Sequence, residues 1–174
     1  MNGTVQQLAC AIALATTCGV DASALESQGE FDTRTDFGDP SRRGSTHYDP
    51  ATQRYELRID GAGSGTEAAI HFASRDLDGD FILQAQVVFA HHDAQADRRA
   101  GWMIRTGSGA DAAFVEATVR EHGDAVLRWR PSTDAAIDVI DIPEGAPADV
   151  IQLERRGRTF LLSTARFGQP WSQQ

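Results

Sequence analysis

Along much of the chain, apolar and polar residues alternate with a repeat of two. The clearest example is Asp80–Ala90, in which every second residue is apolar: Phe81, Leu83, Ala85, Val87 and Phe89. Gln53–Asp60 alternates in the same way. Because successive side chains of a strand point to opposite faces of its sheet, this pattern predicts strands with one buried face.

Seven further segments have the length and composition of strands: Ala68–Ala73, Ala100–Arg105, Ala112–Arg120, Asp124–Arg130, Ala136–Asp141, Asp149–Arg155 and Arg158–Ala165. Turn-forming residues separate the predicted strands, at Asp78-Gly79, Gly107-Ser108-Gly109, Gly123-Asp124, Pro143-Glu144-Gly145 and Arg156-Gly157. No helical periodicity of useful length interrupts them. About nine short strands without intervening helices predict an all-β sandwich or barrel.

Residues 1–24 differ from the rest of the chain. Leu8–Ala15 is apolar, and Ala22-Ser23-Ala24 resembles the small-residue site at which a signal peptide is cleaved. The apolar run is shorter than the roughly 20 residues that span a bilayer. We therefore expect a signal peptide over residues 1–24, an exported domain over residues 25–174 in the periplasm or outside the cell, and no membrane insertion. The alternative is an ordinary buried apolar segment, since no Lys or Arg precedes the run.

Both cysteines of the chain, Cys10 and Cys18, lie in this N-terminal segment. A processed chain would therefore contain no thiol for a disulfide or a metal site. The charge balance is 25 acidic to 16 basic residues, a net charge of −9. Because phosphate binding needs a positive field, this balance argues against a nucleic-acid or anionic-lipid partner.

Five short stretches resemble a group of uncharacterised bacterial exported domains that have the concanavalin-A-like, jelly-roll fold and often precede a TolB-like β-propeller. They are Asp36–Pro40 (DFGDP), Gly79–Leu83 (GDFIL), Arg99–Arg105 (RAGWMIR), Asp149–Gly157 (DVIQLERRG) and Ala165–Gly168 (ARFG). Their order and spacing along Phe31–Pro170 carry the resemblance.

The resemblance implies two packed antiparallel sheets, of which the concave one commonly carries a carbohydrate in proteins of that fold. It also implies further strands after Phe167-Gly168 and, in a longer parent protein, a β-propeller domain as a partner. We therefore expect this chain to lack the last strands of the jelly roll. The resemblance bears on fold more than on function, because one fold hosts many activities.

The alternation also predicts which residues lie on the outer face of the central strands, away from the core. They are Gln84, Gln86, Met103, Arg105, Phe114, Glu116, Thr118, Arg128 and Arg130. Trp102 and Trp129 fall on the inner face. Amide, carboxylate and guanidinium groups bond sugar hydroxyls, and an aromatic ring can cover the face of a pyranose. This row therefore predicts a binding surface for an oligo- or polysaccharide.

A solvated sheet face would have the same composition. Antiparallel sheets commonly have one wet face, and cross-strand ion pairs such as Arg105 with Glu116 would stabilise it. A shift of one residue in strand register would also exchange the two faces. The composition of the row leaves both interpretations open.

Two stretches have the residue types of metal ligands, but each has a simpler interpretation. Asp76–Asp80 (DLDGD) has the acidic spacing of a calcium loop without the later Gly and Glu of an EF-hand, and a hairpin turn explains it. His91-His92-Asp93 with Asp97 is interpreted as a surface loop, since adjacent strand residues point to opposite faces. We expect no metal and no other cofactor.

Patterns typical of hydrolases are not found in the sequence. Jelly-roll glucanases present alternate carboxylates on one strand, whereas Glu116 and Glu121 are five residues apart and fall on opposite faces. We expect no catalytic residue, and a non-catalytic carbohydrate-binding or envelope-interaction module of an exported bacterial protein. The alternatives are a glycoside-processing enzyme with acid and base on different strands, and a structural or docking domain for a TolB-like propeller.

Overall fold

The structure is a computed structural model, and it describes residues 5–9, 29–37, 43–59, 70–90, 98–109, 111–142 and 148–173. These residues form thirteen strands and no helix. The strands are β1 (Val5–Ala9), β2 (Thr33–Phe37), β3 (Gly44–Asp49), β4 (Arg54–Ile59), β5 (Ile70–Leu77), β6 (Phe81–Gln86), β7 (Arg99–Arg105), β8 (Phe114–Arg120), β9 (Ala125–Arg130), β10 (Asp138–Ile142), β11 (Val150–Arg156), β12 (Thr159–Ala165) and β13 (Ser172–Gln173).

The strands form three antiparallel sheets. A seven-stranded sheet has the order β10-β9-β8-β7-β1-β5-β2, a four-stranded sheet has the order β13-β12-β11-β6, and β3 and β4 form a separate hairpin. The all-β prediction is confirmed, and the arrangement is compatible with a β-sandwich.

The main apolar core brings these sheets together. The seven-stranded sheet contributes Ala117 and Val119, and the four-stranded sheet contributes Ile151, Leu153 and Leu162. The alternate apolar residues of Asp80–Ala90 pack there as predicted: Phe81, Leu83, Ala85, Val87 and Phe89. The β3–β4 hairpin adds three side chains to the same core: Tyr48, Tyr55 and Leu57. Alternation therefore identified the buried face of these strands.

All nine predicted strands are present with shifted ends, and β1 and β13 were not predicted as strands. Strands β2 and β3 were missed as well. Their sequences, TRTDF and GSTHYD, are mostly polar, and only Thr46 among these residues is buried. Trp102 is buried as predicted, and Trp129 lies opposite Val115 on the same face of the seven-stranded sheet.

Glycine allows the chain to turn where the sequence predicted turns. Gly79, Gly123 and Gly157 have φ of +75°, +96° and +60°, a region that glycine adopts without strain. The hairpin predicted at Asp78-Gly79 is wrong, because this turn leads from β5 of the seven-stranded sheet to β6 of the four-stranded sheet. The predicted turn at Pro143-Glu144-Gly145 lies outside the described residues.

Strand β1 falls within the predicted signal peptide. It pairs antiparallel with β5 on one side and with β7 on the other. Residues 10–24 lie outside the described residues, and the signal peptide stays a prediction. In the described part of the chain, no helix is long and apolar enough to cross a membrane.

Replacing Leu153 by Ala should lower the free energy of unfolding by about 2 to 5 kcal/mol, because a cavity would remain in the core. Ile82→Ala is the matched control, since Ile82 on the neighbouring strand is 60% exposed. The control should change stability by less than about 0.5 kcal/mol. Denaturant unfolding measures both, and equal losses would contradict the assignment of inner and outer faces.

Burial raises the pKa of the Tyr55 phenol above its ordinary value of 10.0. The folded protein holds this proton more tightly than the unfolded chain does. The resulting stability is present below pH 10 and is lost as the pH rises through the folded-state pKa. Tyr55→Phe should therefore lose stability less steeply in alkaline solution. Identical alkaline slopes in denaturant titrations of the two proteins would show that Tyr55 does not titrate in this way.

Candidate functional site

Seven of the nine residues of the predicted row, Thr118 included, share the outer face of the seven-stranded sheet, the face directed away from the main core. Met103, Glu116 and Arg128 lie opposite one another on β7, β8 and β9. The adjacent row on the same strands consists of Arg105, Phe114 and Arg130. The predicted outer face of these three strands is therefore confirmed, whereas the expected pairing of Arg105 with Glu116 is wrong, because Arg105 lies opposite Phe114.

Gln84 and Gln86 do not belong to this row. They lie on β6, in the four-stranded sheet, where Gln84 is opposite Gln152 of β11. The Gln86 amide donates to Asp149 Oδ2 at 3.5 Å. The expectation of one shared face was wrong, because the turn after β5 leads into a different sheet.

Glu116 is the centre of an ion-pair cluster and is only 5% exposed. Its carboxylate accepts a hydrogen bond from Arg128 Nη1 at 3.1 Å, and Arg99 Nε lies 3.7 Å from its other oxygen. Arg105, the partner expected from the sequence, is not the partner found. Thr118, on the same strand, is also buried, so the expectation that these side chains are exposed was wrong. Two guanidinium groups compensate the cost of burying the carboxylate.

Arg105 is a buried residue that organises the loop after β7. Its Nε donates to the carbonyl of Gly107 at 2.7 Å, and its Nη2 donates to the carbonyl of Gly109. The guanidinium lies over the ring of Phe37, 4.4 Å from the centroid. Burial lowers the pKa of Arg105 from its ordinary value. Much of the hydrogen-bonding capacity of Arg105 is therefore used within the protein.

The apolar members of the outer face pack against each other. Met103 and Phe72 form a small buried cluster with Phe37 and Phe114. Arg130 lies over the ring of Phe114, 5.6 Å from its centroid. The predicted row is thus a packed surface in which side chains contact one another.

A polar cleft of about 580 Å³ lies elsewhere, between the β3–β4 hairpin and strands β2 and β5. Its lining residues are Arg34, Asp36, Gly44, Ser45, Thr46, His47, Glu56, Arg58 and His71. They come from four strands that are far apart in the sequence. None of these residues was a site candidate in the sequence.

Three of the lining residues form a hydrogen-bonded relay. His71 Nδ1 lies 2.6 Å from Asp36 Oδ1, and His71 Nε2 lies 2.6 Å from Thr46 Oγ1. The imidazole side chain is 3% exposed, whereas the carboxylate of Asp36 is 34% exposed. Asp36 Oδ1 also accepts from the backbone N–H of Gly44 at 3.1 Å.

The chemistry of the partners assigns the direction of each hydrogen bond. An ionised carboxylate only accepts, so His71 Nδ1 carries the proton that is donated to Asp36. In a neutral imidazole the other nitrogen is then an acceptor, and Thr46 donates its hydroxyl proton to Nε2. The relay therefore points from the Thr46 hydroxyl through the ring to the carboxylate.

Register and a glycine bring the three side chains together. Asp36 and His71 are directly opposite on β2 and β5, and Thr46 reaches the ring from the hairpin. At Gly44, a Cβ would overlap the ring of His71. Gly44, two positions before Thr46 on β3, must therefore lack a side chain for the hairpin to approach.

Sequence patterns contain little trace of this relay. His71 lay in a predicted strand, Ala68–Ala73, where it interrupts an otherwise apolar segment. Asp36 appeared only within the stretch DFGDP, and Thr46 lay in a strand that was missed. The one signal was a histidine in a buried strand, since such a ring requires hydrogen-bond partners.

Charges of both signs surround the relay. Arg58 pairs with Glu56, two residues away on β4, and the Arg58 side chain is 62% exposed. Arg34, His47 and Ser45 are also exposed lining residues. The cleft therefore offers both hydrogen-bond donors and acceptors to a solute, and the cleft itself has no strong net charge.

The described residues contain no group of three or more side chains suited to hold a metal ion. In the DLDGD stretch, Asp80 Oδ1 accepts from the backbone N–H of Gly157 at 2.6 Å, which ties the turn after β5 to the turn after β11. The stretch from His91 to Asp97 lies outside the described residues.

Comparison with known proteins does not identify a family for this chain. No family model, curated protein or solved structure matches the chain. The resemblance to concanavalin-A-like exported domains therefore stays an expectation from the sequence, and the function has to be argued from the side chains.

Replacing Glu116 by Gln should lower the free energy of unfolding by about 1 to 3 kcal/mol, because Arg99 and Arg128 would lose their common counter-charge. The control is Glu30→Gln, which removes an exposed ion pair with Arg75. An exposed pair contributes at most about 1 kcal/mol. If chemical denaturation gives Glu116→Gln the same stability as the unaltered protein, the cluster does not stabilise the sheet.

Proposed function

We propose that this domain is a carbohydrate-binding module of an exported bacterial protein, and that its saccharide occupies the polar cleft between the hairpin and strands β2 and β5. The observation that carries the proposal is the lining of the cleft. Residues with hydroxyl, imidazole, carboxylate and guanidinium groups line one space of about 580 Å³. That volume lies within the usual range for small-molecule sites.

The balance of charge in the cleft favours a neutral ligand over an anion. The arginines Arg34 and Arg58 are matched by the carboxylates Asp36 and Glu56. A sugar hydroxyl both donates and accepts hydrogen bonds, so it can pair with either kind of group. A phosphate or sulfate group would gain from the arginines but would meet the carboxylates as well.

The cleft supports the proposal better than the outer face of the seven-stranded sheet does. On the outer face, Glu116 and Arg105 already bond to groups of the protein and are buried. In the cleft, Ser45, His47 and Arg58 are exposed. In the ion pair between Arg58 and Glu56 the Arg58 side chain is 62% exposed, so Arg58 can exchange this partner for a ligand at little cost.

The described lining residues contain no aromatic ring apart from the two histidines. Stacking of a pyranose on a ring would therefore contribute little, and binding would depend on hydrogen bonds. Each hydrogen bond to a charged group is worth about 1.5 to 3 kcal/mol. Loss of one such contact should be measurable by calorimetry.

The test is calorimetric titration of the full chain with a panel of soluble oligo- and polysaccharides, together with thermal melts. A saccharide that binds only the folded state raises the melting temperature. Arg58→Ala should weaken binding by roughly tenfold or more, which is the effect of losing one charged hydrogen bond. Arg54→Ala is the matched control, since Arg54 is exposed on the same strand and is not a lining residue.

Two results would contradict the proposal. If no saccharide of the panel released or absorbed heat on titration or shifted the melting temperature, carbohydrate binding would be contradicted. If instead a saccharide bound, and Arg128→Ala abolished its binding while Arg58→Ala did not change it, the ligand would occupy the outer face of the seven-stranded sheet.

A further inference from the structure

We propose that the relay of Asp36, His71 and Thr46 is the catalytic centre of a carboxylic-ester hydrolase, with Thr46 as its nucleophile. The proposal rests on geometry. A hydroxyl lies within hydrogen-bond distance of an imidazole nitrogen, and a carboxylate holds the opposite nitrogen, each at 2.6 Å. A nucleophile, a base and a carboxylate that orients the base, in this order, are the diagnostic arrangement of hydroxyl-based acyl transfer on unrelated folds.

Several hydroxyl groups of this protein form hydrogen bonds. Thr46 differs from the example that follows in its bonding partner and in its place beside a cleft. Thr33 and Ser74, for example, bond to each other at 2.7 Å, and neither hydroxyl has a ring nitrogen as its partner there. Thr46 bonds to a base, and both residues line an open cleft. A structural contact accounts for the hydrogen bond to the buried ring but not for the cleft beside it.

The proton path follows from the hydrogen-bond directions. Thr46 Oγ attacks the carbonyl carbon of an ester while its proton passes to His71 Nε2. The Asp36 carboxylate accepts from Nδ1–H and stabilises the positive ring. When the carbon–oxygen bond to the alcohol breaks, the leaving oxygen takes the proton from Nε2, and the acyl group remains on Thr46.

Water completes the cycle. A water molecule gives a proton to Nε2 and attacks the acyl carbon. The bond from that carbon to Thr46 Oγ then breaks, Oγ recovers the proton from the ring, and a carboxylic acid leaves. The net reaction is ester plus water to alcohol plus acid, and it needs no other reactant.

The cleft also supplies charge for the transition state. Attack on the carbonyl places negative charge on its oxygen, and cationic groups aimed at that oxygen lower the barrier. Arg34 lines the same cleft as Thr46, from strand β2. Arginine suits this role because its guanidinium stays charged at neutral pH.

Burial restricts the acyl group that Thr46 can attack. Thr46 is 5% exposed, which favours a small acyl group such as acetyl over a larger one. If the saccharide proposed above occupies the cleft, the substrate class is an O-acetylated saccharide. This last step rests on the proposed function, whereas the esterase chemistry does not.

The test uses the full chain and p-nitrophenyl acetate. Intact-protein mass spectrometry after acid quenching should find an acetyl group, and peptide mapping should place it on Thr46. Thr46→Val keeps the shape of the side chain and removes the hydroxyl, so the adduct should disappear and hydrolysis should fall by at least about 100-fold. Thr35→Val, which removes an exposed hydroxyl from strand β2, should change neither.

Two further variants keep the proposal falsifiable if Thr46→Val does not fold. Thr46→Ser retains a hydroxyl and should retain the adduct at position 46. Asp36→Asn should slow acetylation and leave its site unchanged. No adduct on folded protein, or hydrolysis that is unaffected by Thr46→Val, would overturn the proposal.

Measurements with saccharides separate this proposal from the proposed function. Release of acetate from an acetylated polysaccharide, lost in Thr46→Val, would support both. Saccharide binding without any acyl adduct would overturn the relay as a catalytic centre and leave the binding module. An acetyl adduct from p-nitrophenyl acetate without saccharide binding would support the catalytic relay and contradict the binding module.

Discussion

The contact of one buried imidazole with two strands governs how the hairpin meets the sheet. The His71 ring is almost completely buried, and a buried polar group without partners would cost several kcal/mol. Asp36 supplies one partner from β2, and Thr46 supplies the other from β3. The hairpin can therefore dock only where Thr46 reaches Nε2, and Gly44 provides the room for that approach. The cleft is the space that this docking leaves between the hairpin and the sheet edge.

The two polar regions of the protein use charge differently. Around Glu116, two guanidinium groups neutralise a carboxylate that is shielded from solvent, and Arg105 holds a loop through its carbonyls. Those contacts stabilise a sheet face. Around His71, the relay is buried, while Ser45, His47 and Arg58 remain accessible. Fixed groups beside accessible ones are the arrangement that a ligand site requires, because the fixed groups are preorganised and the accessible ones can exchange partners.

Alternation predicted the fold well where a strand has one apolar face. It gave the inner residues of Asp80–Ala90, and it placed Met103, Glu116 and Arg128 on one face. It could not assign strands to sheets, because a repeat of two specifies a face and not a neighbour. Gln84 was therefore grouped with Glu116, although the two residues lie in different sheets. Burial of Glu116 was missed for a related reason, since the partners that make it tolerable come from two other strands.

The relay could not be predicted from the sequence. Its members are separated by 25 and 35 positions, and no periodic pattern links residues that meet only through tertiary packing. Two of them lie in the polar strands β2 and β3, which have no continuous apolar face and so gave no strand signal. A histidine inside an apolar strand indicates that its ring needs hydrogen-bond partners, but it does not indicate which residues supply them.

The hydrogen-bond direction within the relay is the central claim, and nitrogen NMR of the His71 ring tests it most directly. With ¹⁵N-labelled histidine, the account predicts a protonated Nδ1 and an unprotonated Nε2 that accepts a hydrogen bond. Thr46→Val should shift the Nε2 resonance and leave Nδ1 protonated. A proton on Nε2, or a ring whose resonances do not respond to Thr46→Val, would contradict the account.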